Sequence, residues 1–321
     1  MTGPNWKTDF SPPGQILLFS SLFFLPALNP AIFGWFNGLL AVPVFFMLSI
    51  NGPTLGWRKI RAGLLVAAVG SVVVGGFAIF GFALTSVPLG LYLYQSAYRG
   101  ETAAISGGKG AVAMAASWLA FWALYGALAG FNPYTELLSA IDQTLEQTRE
   151  IYTANELDLG PEVVAATEQF IAAARATMPK MLPGLLLAMI ALTVWINMLF
   201  IATLTRHAGR DATRSWGPYA TWRLPDQVIW LLIVGVTTLL IGSGSLRYMG
   251  GWLVLLSVIL YFFQGLAVLV ALLDRWNVPV IARFILYGVL LIQSYSLLIL
   301  AILGILDIWF NLRPRRIDRP V

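Results

Sequence analysis

The sequence predicts an all-α, polytopic transmembrane helical bundle of eight to nine spans with an external amphipathic helical hairpin. Hydrophobic residues fill 58% of the 321 positions and charged residues only 11%, whereas a globular domain carries about 25% charged residues for its solvated shell. The uncharged runs are long: Gly14 to Gly56, Ala62 to Tyr98, Ala111 to Tyr134, Met181 to Thr205 and Gln227 to Leu246. A helix needs roughly 20 apolar residues to cross the hydrocarbon, so several of these runs hold one or two crossings. The acids, finally, are segregated. Residues 132–180 hold eight acids against three bases, net −5, while the rest of the chain is net +10.

The N-terminal stretch before the first apolar run carries one lysine and three prolines. No small-residue cleavage site ends that run, which points to a retained first span rather than a signal peptide. Expected spans lie at about 15–29, 31–50, 62–83, 85–98, 111–131, 181–205, 227–245, 249–273 and 284–310. Asn29-Pro30 divides the first pair, because proline cannot donate a helix hydrogen bond and biases its predecessor away from α. Ser86-Val87-Pro88 divides the third and fourth, leaving 85–98 short enough for a half-helix or re-entrant piece.

Lysine and arginine in short loops orient the spans. Arg58, Lys59 and Arg61 follow the second span, Arg99 and Lys109 the fourth, Arg206, Arg210, Arg214 and Arg223 the sixth, and Arg275 and Arg283 the eighth. Alternation from an internal N-terminus puts all four loops on the cytoplasmic face. Nine crossings then leave the tail arginines Arg313, Arg315, Arg316 and Arg319 outside. Either one weak span is no crossing or the tail breaks the rule.

Four segments follow: transmembrane helices over 1–131, the acidic hairpin over 132–180, transmembrane helices over 181–312 and a basic tail over 313–321. In the hairpin, Asn132-Pro133 reads as an N-cap with proline at the first helical position. Leu138, Ile141, Leu145 and Ile151 or Tyr152 then recur at roughly helical spacing, and Gly160-Pro161 ends that helix and starts another. The pair is too polar to cross and is expected over the outer face or in the interface.

Inside a bilayer a polar side chain is expensive unless paired or wet, so the embedded polar residues are the candidate binding residues: Asn197, Gln264, Gln293 and Asp307. Asp307, close to Asn311 and Arg313, is either an interfacial carboxylate anchored by an arginine or a ligand contact. Each amide is either interhelical glue, worth about 1 kcal/mol, or a cavity group. Gly34-x-x-x-Gly38 and Gly126-x-x-x-Gly130 permit close helix approach. Gly107-Gly108-Lys109-Gly110 lacks P-loop spacing and the trailing hydroxyl and reads as a flexible cytoplasmic turn. The basic loop with Trp216, Tyr219 and Trp222 suits anionic headgroups better than nucleic acid.

The chain has no cysteine and a single histidine, His207. No thiolate or histidine-cluster metal site is expected, nor any cofactor. Without HExxH, GxSxG or a pair of embedded aspartates, no enzyme activity is expected.

Three stretches occur in one order: Trp222-Arg223-Leu224-Pro225-Asp226, Tyr261-Phe262-Phe263-Gln264-Gly265-Leu266-Ala267, and Leu303-Gly304-Ile305-Leu306-Asp307-Ile308-Trp309-Phe310-Asn311-Leu312-Arg313. Together they resemble the YybS-like family of uncharacterised bacterial membrane proteins. The N-terminal half matches only in hydropathy and Gly/Pro punctuation, and Asn311 stands where an acid usually follows Trp-Phe. That family is similar in plan to the substrate-binding membrane subunits of energy-coupling factor importers. The resemblance implies a multi-pass protein of the bacterial inner membrane that binds a small molecule or lipid, as a transport component with membrane or ATPase partner proteins. Gln264 and Asp307 match positions of its pattern, but no vitamin motif carries over. The rival expectation is a non-transporting scaffold that recruits proteins through the acidic hairpin and the basic loop.

Overall fold

Proline and glycine set most of the breaks between helices in the computed structural model, which describes residues 12–154, 160–209, 211–293 and 295–313. Glu156, Asp158, Arg210, Ser294, Arg315, Arg316 and Arg319 lie outside the described residues. The described residues form twelve α-helices, four short 3-10 turns and no strand.

Helix α1 (Pro12–Leu28) stops at Asn29, whose side-chain oxygen accepts from the Ile32 amide at 3.1 Å and caps α2 (Pro30–Phe33). The chain turns by 112° there. Helix α3 (Ala41–Val73) is two arms, because Gly52 takes φ 75° in the left-handed region that glycine enters without a Cβ clash. Gly75 ends the second arm, so the span expected over 62–83 is not one helix. Helices α4 (Phe77–Ala83) and α5 (Ser86–Tyr98) together make a single 22-residue candidate span. Pro88 sits in the first turn of α5, where its missing N–H costs little. Residues 85–98 are thus half of one crossing rather than a crossing of their own.

Helix α6 (Ala103–Ala129) begins at the Thr102 cap and includes the whole Gly107–Gly110 stretch, so that stretch is helix and not a turn. Asn132 caps α7 (Pro133–Ala154), its Oδ1 accepting from the Tyr134 amide at 2.9 Å. Helix α8 (Pro161–His207) runs unbroken for 47 residues, or about 70 Å at 1.5 Å per residue, more than twice the hydrocarbon thickness of about 30 Å. No helix end falls at residue 180. The first part of α8 lies along α7, where Arg175 pairs with Asp142 and Glu146 at 2.6 Å and Arg149 pairs with Glu168 at 3.6 Å.

Helices α9 (Ile229–Ile241), α10 (Ser245–Arg275), α11 (Val280–Ile292) and α12 (Ser296–Phe310) complete the chain. The span expected over 284–310 is broken at Gln293, whose backbone is extended. Four helices are long and apolar enough to cross a membrane, or up to six when each bent pair counts as one span. By length and composition the described residues thus hold four to six candidate spans, against the eight or nine expected.

Two contacts set α8 against α10. Trp195 stacks on Phe263 with ring centroids 4.4 Å apart, and Gly184 lies against Trp252. Both pairs have the same sequence offset, so the two helices run parallel. Helix α12 runs against α10 at backbone distance: a Cβ on Gly265 would lie 1.7 Å from the Leu300 carbonyl oxygen, and one on Gly304 would lie 2.1 Å from that of Tyr261. The close approach expected of Gly34 and Gly38 is absent, since nothing lies within 4 Å of a Cβ built on either. Gly126 packs against Pro133 where the chain reverses, and Gly130 caps α6 with a left-handed backbone.

Two apolar clusters fill the interior, one around Phe45, Leu93, Met198 and Trp216, the other around Phe19, Phe23, Val44 and Phe80. Large apolar side chains also cover the outside: Ile241 is 82% exposed and Leu128 78%. An apolar surface on this scale has hydrocarbon rather than water as its solvent.

Candidate functional site

Helix α6 presents a run of small side chains, Ala103, Ala104, Gly107, Gly108 and Ala111, toward α8 and α10. Small residues cannot fill the space between three helices, and a cavity of about 480 Å³ remains. Val194 and Met198 of α8 and Phe263 and Gln264 of α10 line the other walls, with Trp222, Arg223 and Leu224 of the basic loop at one end. The walls are almost entirely apolar. Trp195, Phe263, Tyr219 and Trp222 form a continuous aromatic group, with neighbouring centroids 4.4 to 5.8 Å apart, and the Tyr219 hydroxyl donates to the Phe263 carbonyl at 2.7 Å.

Polar chemistry collects at the loop end. Gln264 accepts from the Leu224 amide at 3.0 Å and donates to the Gly304 carbonyl at 3.0 Å and to Asp307 Oδ2 at 3.5 Å. Arg313 donates from Nε at 3.1 Å and from Nη2 at 2.8 Å to the same Oδ2. Its Nη1 donates to the carbonyls of Ala220 at 3.0 Å and Trp222 at 2.6 Å. The loop, α10, α12 and the start of the tail are tied together through one buried ion pair. Burial pulls the Arg313 guanidinium down from its ordinary value, and the Asp307 carboxylate opposes that shift.

A second cation stands beside this pair. Arg223 Nε is 3.9 Å from Asp307 Oδ2, and its Nη1 donates to Asn311 Oδ1 at 2.8 Å. Its side chain remains 45% exposed and lines the cavity, while the Asp307 side chain is 1% exposed. Two guanidiniums therefore face one carboxylate, and the cluster carries a net positive charge at the end of an apolar chamber. Asp307 Oδ1 is buried without a partner among the described residues.

The four candidate residues separate. Gln264 lines the cavity, and Asp307 lies directly behind it. Asn197 lies elsewhere: its Nδ2 donates to the carbonyls of Gly38 and Thr193, so it joins α8 to the 3-10 turn over Gly34–Leu39. That is the interhelical glue role. Gln293 is exposed at the break between α11 and α12 and joins no cluster. The loop residues Arg223 and Trp222 are the ones whose basic and aromatic character pointed to anionic headgroups. Gly107 and Gly108 of α6 read as a turn and gave no sign of a cavity, because a glycine shapes a cavity only through what stands opposite it.

Arg313 also bears on topology. Its bonds to Ala220 and Trp222 hold the start of the tail against the basic loop, whereas nine alternating crossings would put the two on opposite faces.

No curated protein and no solved structure matches the chain. Apolar helices long enough to cross a membrane agree with a family model described as predicted membrane protein. That model, DUF2232, matches residues 16–308, and the chain belongs to this family of membrane proteins.

Proposed function

We propose that the protein binds a small amphiphilic molecule with one anionic group, its apolar body in the cavity between α6, α8 and α10 and its charge against Arg223. The observation that carries this reading is the join of an almost wholly apolar chamber to a cluster with one more guanidinium than carboxylate. Ligand pockets combine apolar walls with a few polar groups that fix orientation, and a guanidinium offers a carboxylate or phosphate two parallel donors. Gln264 and Asp307 hold the loop in place behind Arg223 and do not meet the ligand's charge themselves. A substrate-binding subunit of a bacterial inner-membrane importer would use such a chamber, and an ATPase partner would then be expected.

Small molecules retained after extraction in mild detergent, identified by mass spectrometry, test the reading. Gly108→Leu is the informative variant, because nothing lies within 4 Å of a Cβ at Gly108 and the new side chain enters the cavity without strain. It should leave the protein folded and reduce the retained amphiphile about tenfold or more, which is about 1.4 kcal/mol of binding. Arg223→Gln should remove the preference for an anionic ligand. Identical small-molecule content in all three proteins would defeat the proposal.

A further inference from the structure

Lys59 is the most deeply buried lysine in the described structure, 7% exposed on the second arm of α3. Its ammonium donates to Gln15 Oε1 at 2.8 Å and to Asn51 Oδ1 at 2.6 Å. Asn51 uses its Nδ2 on the Met47 carbonyl at 3.0 Å, which leaves only its oxygen to face the ammonium. Both partners are neutral amides. Among the described residues no carboxylate lies within 4 Å of Lys59. An ammonium has three donors, and a buried charge is costly without a counter-charge. Among the described residues two of the three N–H bonds are thus met and none of the charge.

Gln15 and Met47, which border Lys59 and Asn51, also line a second apolar groove of about 460 Å³, distinct from the cavity at Arg223. Phe19, Pro43, Phe200 and Leu204 form its walls, so it runs between α1, the first arm of α3 and the end of α8. The charges nearest Lys59 in sequence, Arg58 and Arg61, are both basic and exposed, and Arg206 stands on the last turn of α8, which walls the groove. By the lysine and arginine bias this end of the bundle is the cytoplasmic one. Basic pockets between helices on that side recognise anionic headgroups.

We propose that this groove binds an anionic phospholipid, the headgroup phosphate accepting from Lys59, one acyl chain lying along Phe19, Phe200 and Leu204. The phosphate supplies both the acceptor and the negative charge that the amides lack. The site is independent of the amphiphile cavity, which shares no lining residue with it.

The test uses the full chain in mild detergent, with phosphatidylglycerol or phosphatidylcholine added in mixed micelles. Lipid retention is read by native mass spectrometry and thermal stability by unfolding. Phosphatidylglycerol should stay bound and raise the unfolding temperature more than phosphatidylcholine does. Lys59→Met should weaken phosphatidylglycerol retention at least about tenfold, the loss of one charge-assisted hydrogen bond, and abolish the difference between the lipids. It should leave untouched the small-molecule content that Gly108→Leu removes, which separates failure at the two sites. Equal behaviour of the two lipids on the unaltered protein would overturn the proposal, as would an undiminished phosphatidylglycerol preference in Lys59→Met. Should that variant not fold, Leu204→Trp narrows the groove with the ammonium intact. Lipid retention must then fall, and unchanged retention overturns the site.

Discussion

Replacing Asp307 by leucine takes the carboxylate away and leaves the Arg313 guanidinium where it was. Of the four contacts that Arg313 donates, the two to Oδ2 vanish and the two to the Ala220 and Trp222 carbonyls remain. Removing one partner of a buried ion pair costs about 3–5 kcal/mol in water-soluble proteins, because the other charge stays buried and unpaired. Hydrogen bonds in lipid are weaker than that comparison suggests, since the unfolded state in the membrane also finds partners. A loss of about 2–4 kcal/mol is therefore expected for Asp307→Leu, and a smaller one for Arg313→Met, because Arg223 at 3.9 Å and Gln264 at 3.5 Å still face the carboxylate. Asp307→Asn keeps an acceptor and should cost less, about 1–2 kcal/mol. The double variant Asp307→Leu, Arg313→Met strands neither charge. Its cost should fall short of the summed single costs by at least about 2 kcal/mol, the coupling energy of groups in contact. The assay is equilibrium unfolding of the purified protein in mixed micelles of mild detergent and sodium dodecyl sulfate. Additive single costs, or an Asp307→Leu protein within about 0.5 kcal/mol of the parent, would refute the buried pair as a structural tie.

Gly265→Ala should cost about 3 kcal/mol or more in the same assay, because a Cβ 1.7 Å from the Leu300 carbonyl oxygen meets backbone that cannot turn aside. Gly34→Ala, with nothing within 4 Å, should stay within about 0.5 kcal/mol of the parent; equal costs would mean that α10 and α12 do not touch as described. Reporter fusions after Arg214 and after Arg313 should give the same, cytoplasmic, side, since Arg313 bonds the loop carbonyls. A fusion at Gln143 in α7 should report the opposite side, and a tail on that side would restore the odd number of crossings.

Composition alone determined the class. With 11% charged residues the chain cannot solvate its own surface in water, and only helices or closed barrels satisfy every backbone group in lipid. The local signals were also legible where a single residue decides the backbone: the Asn29-Pro30 break, the Asn132-Pro133 start of α7, the Gly160-Pro161 start of α8. Hydropathy could not separate an apolar run that crosses from one that breaks and turns. The breaks at Gly75 and Gln293 fall inside apolar runs that read as single spans, because apolarity reports the solvent and not the path. The same limit applied to the polar residues. Asn197 and Gln264 are both amides in apolar helices that bond a carbonyl across an interface, yet only Gln264 also stands at a cavity. That difference follows from which helices lie opposite. The contact of Gly265 with Gly304 sets that arrangement for α10 and α12, and the small residues of α6 set it for the chamber. The cost of a polar group in lipid is a property of the residue, whereas its partner is a property of the packing, and only the tertiary structure supplies it.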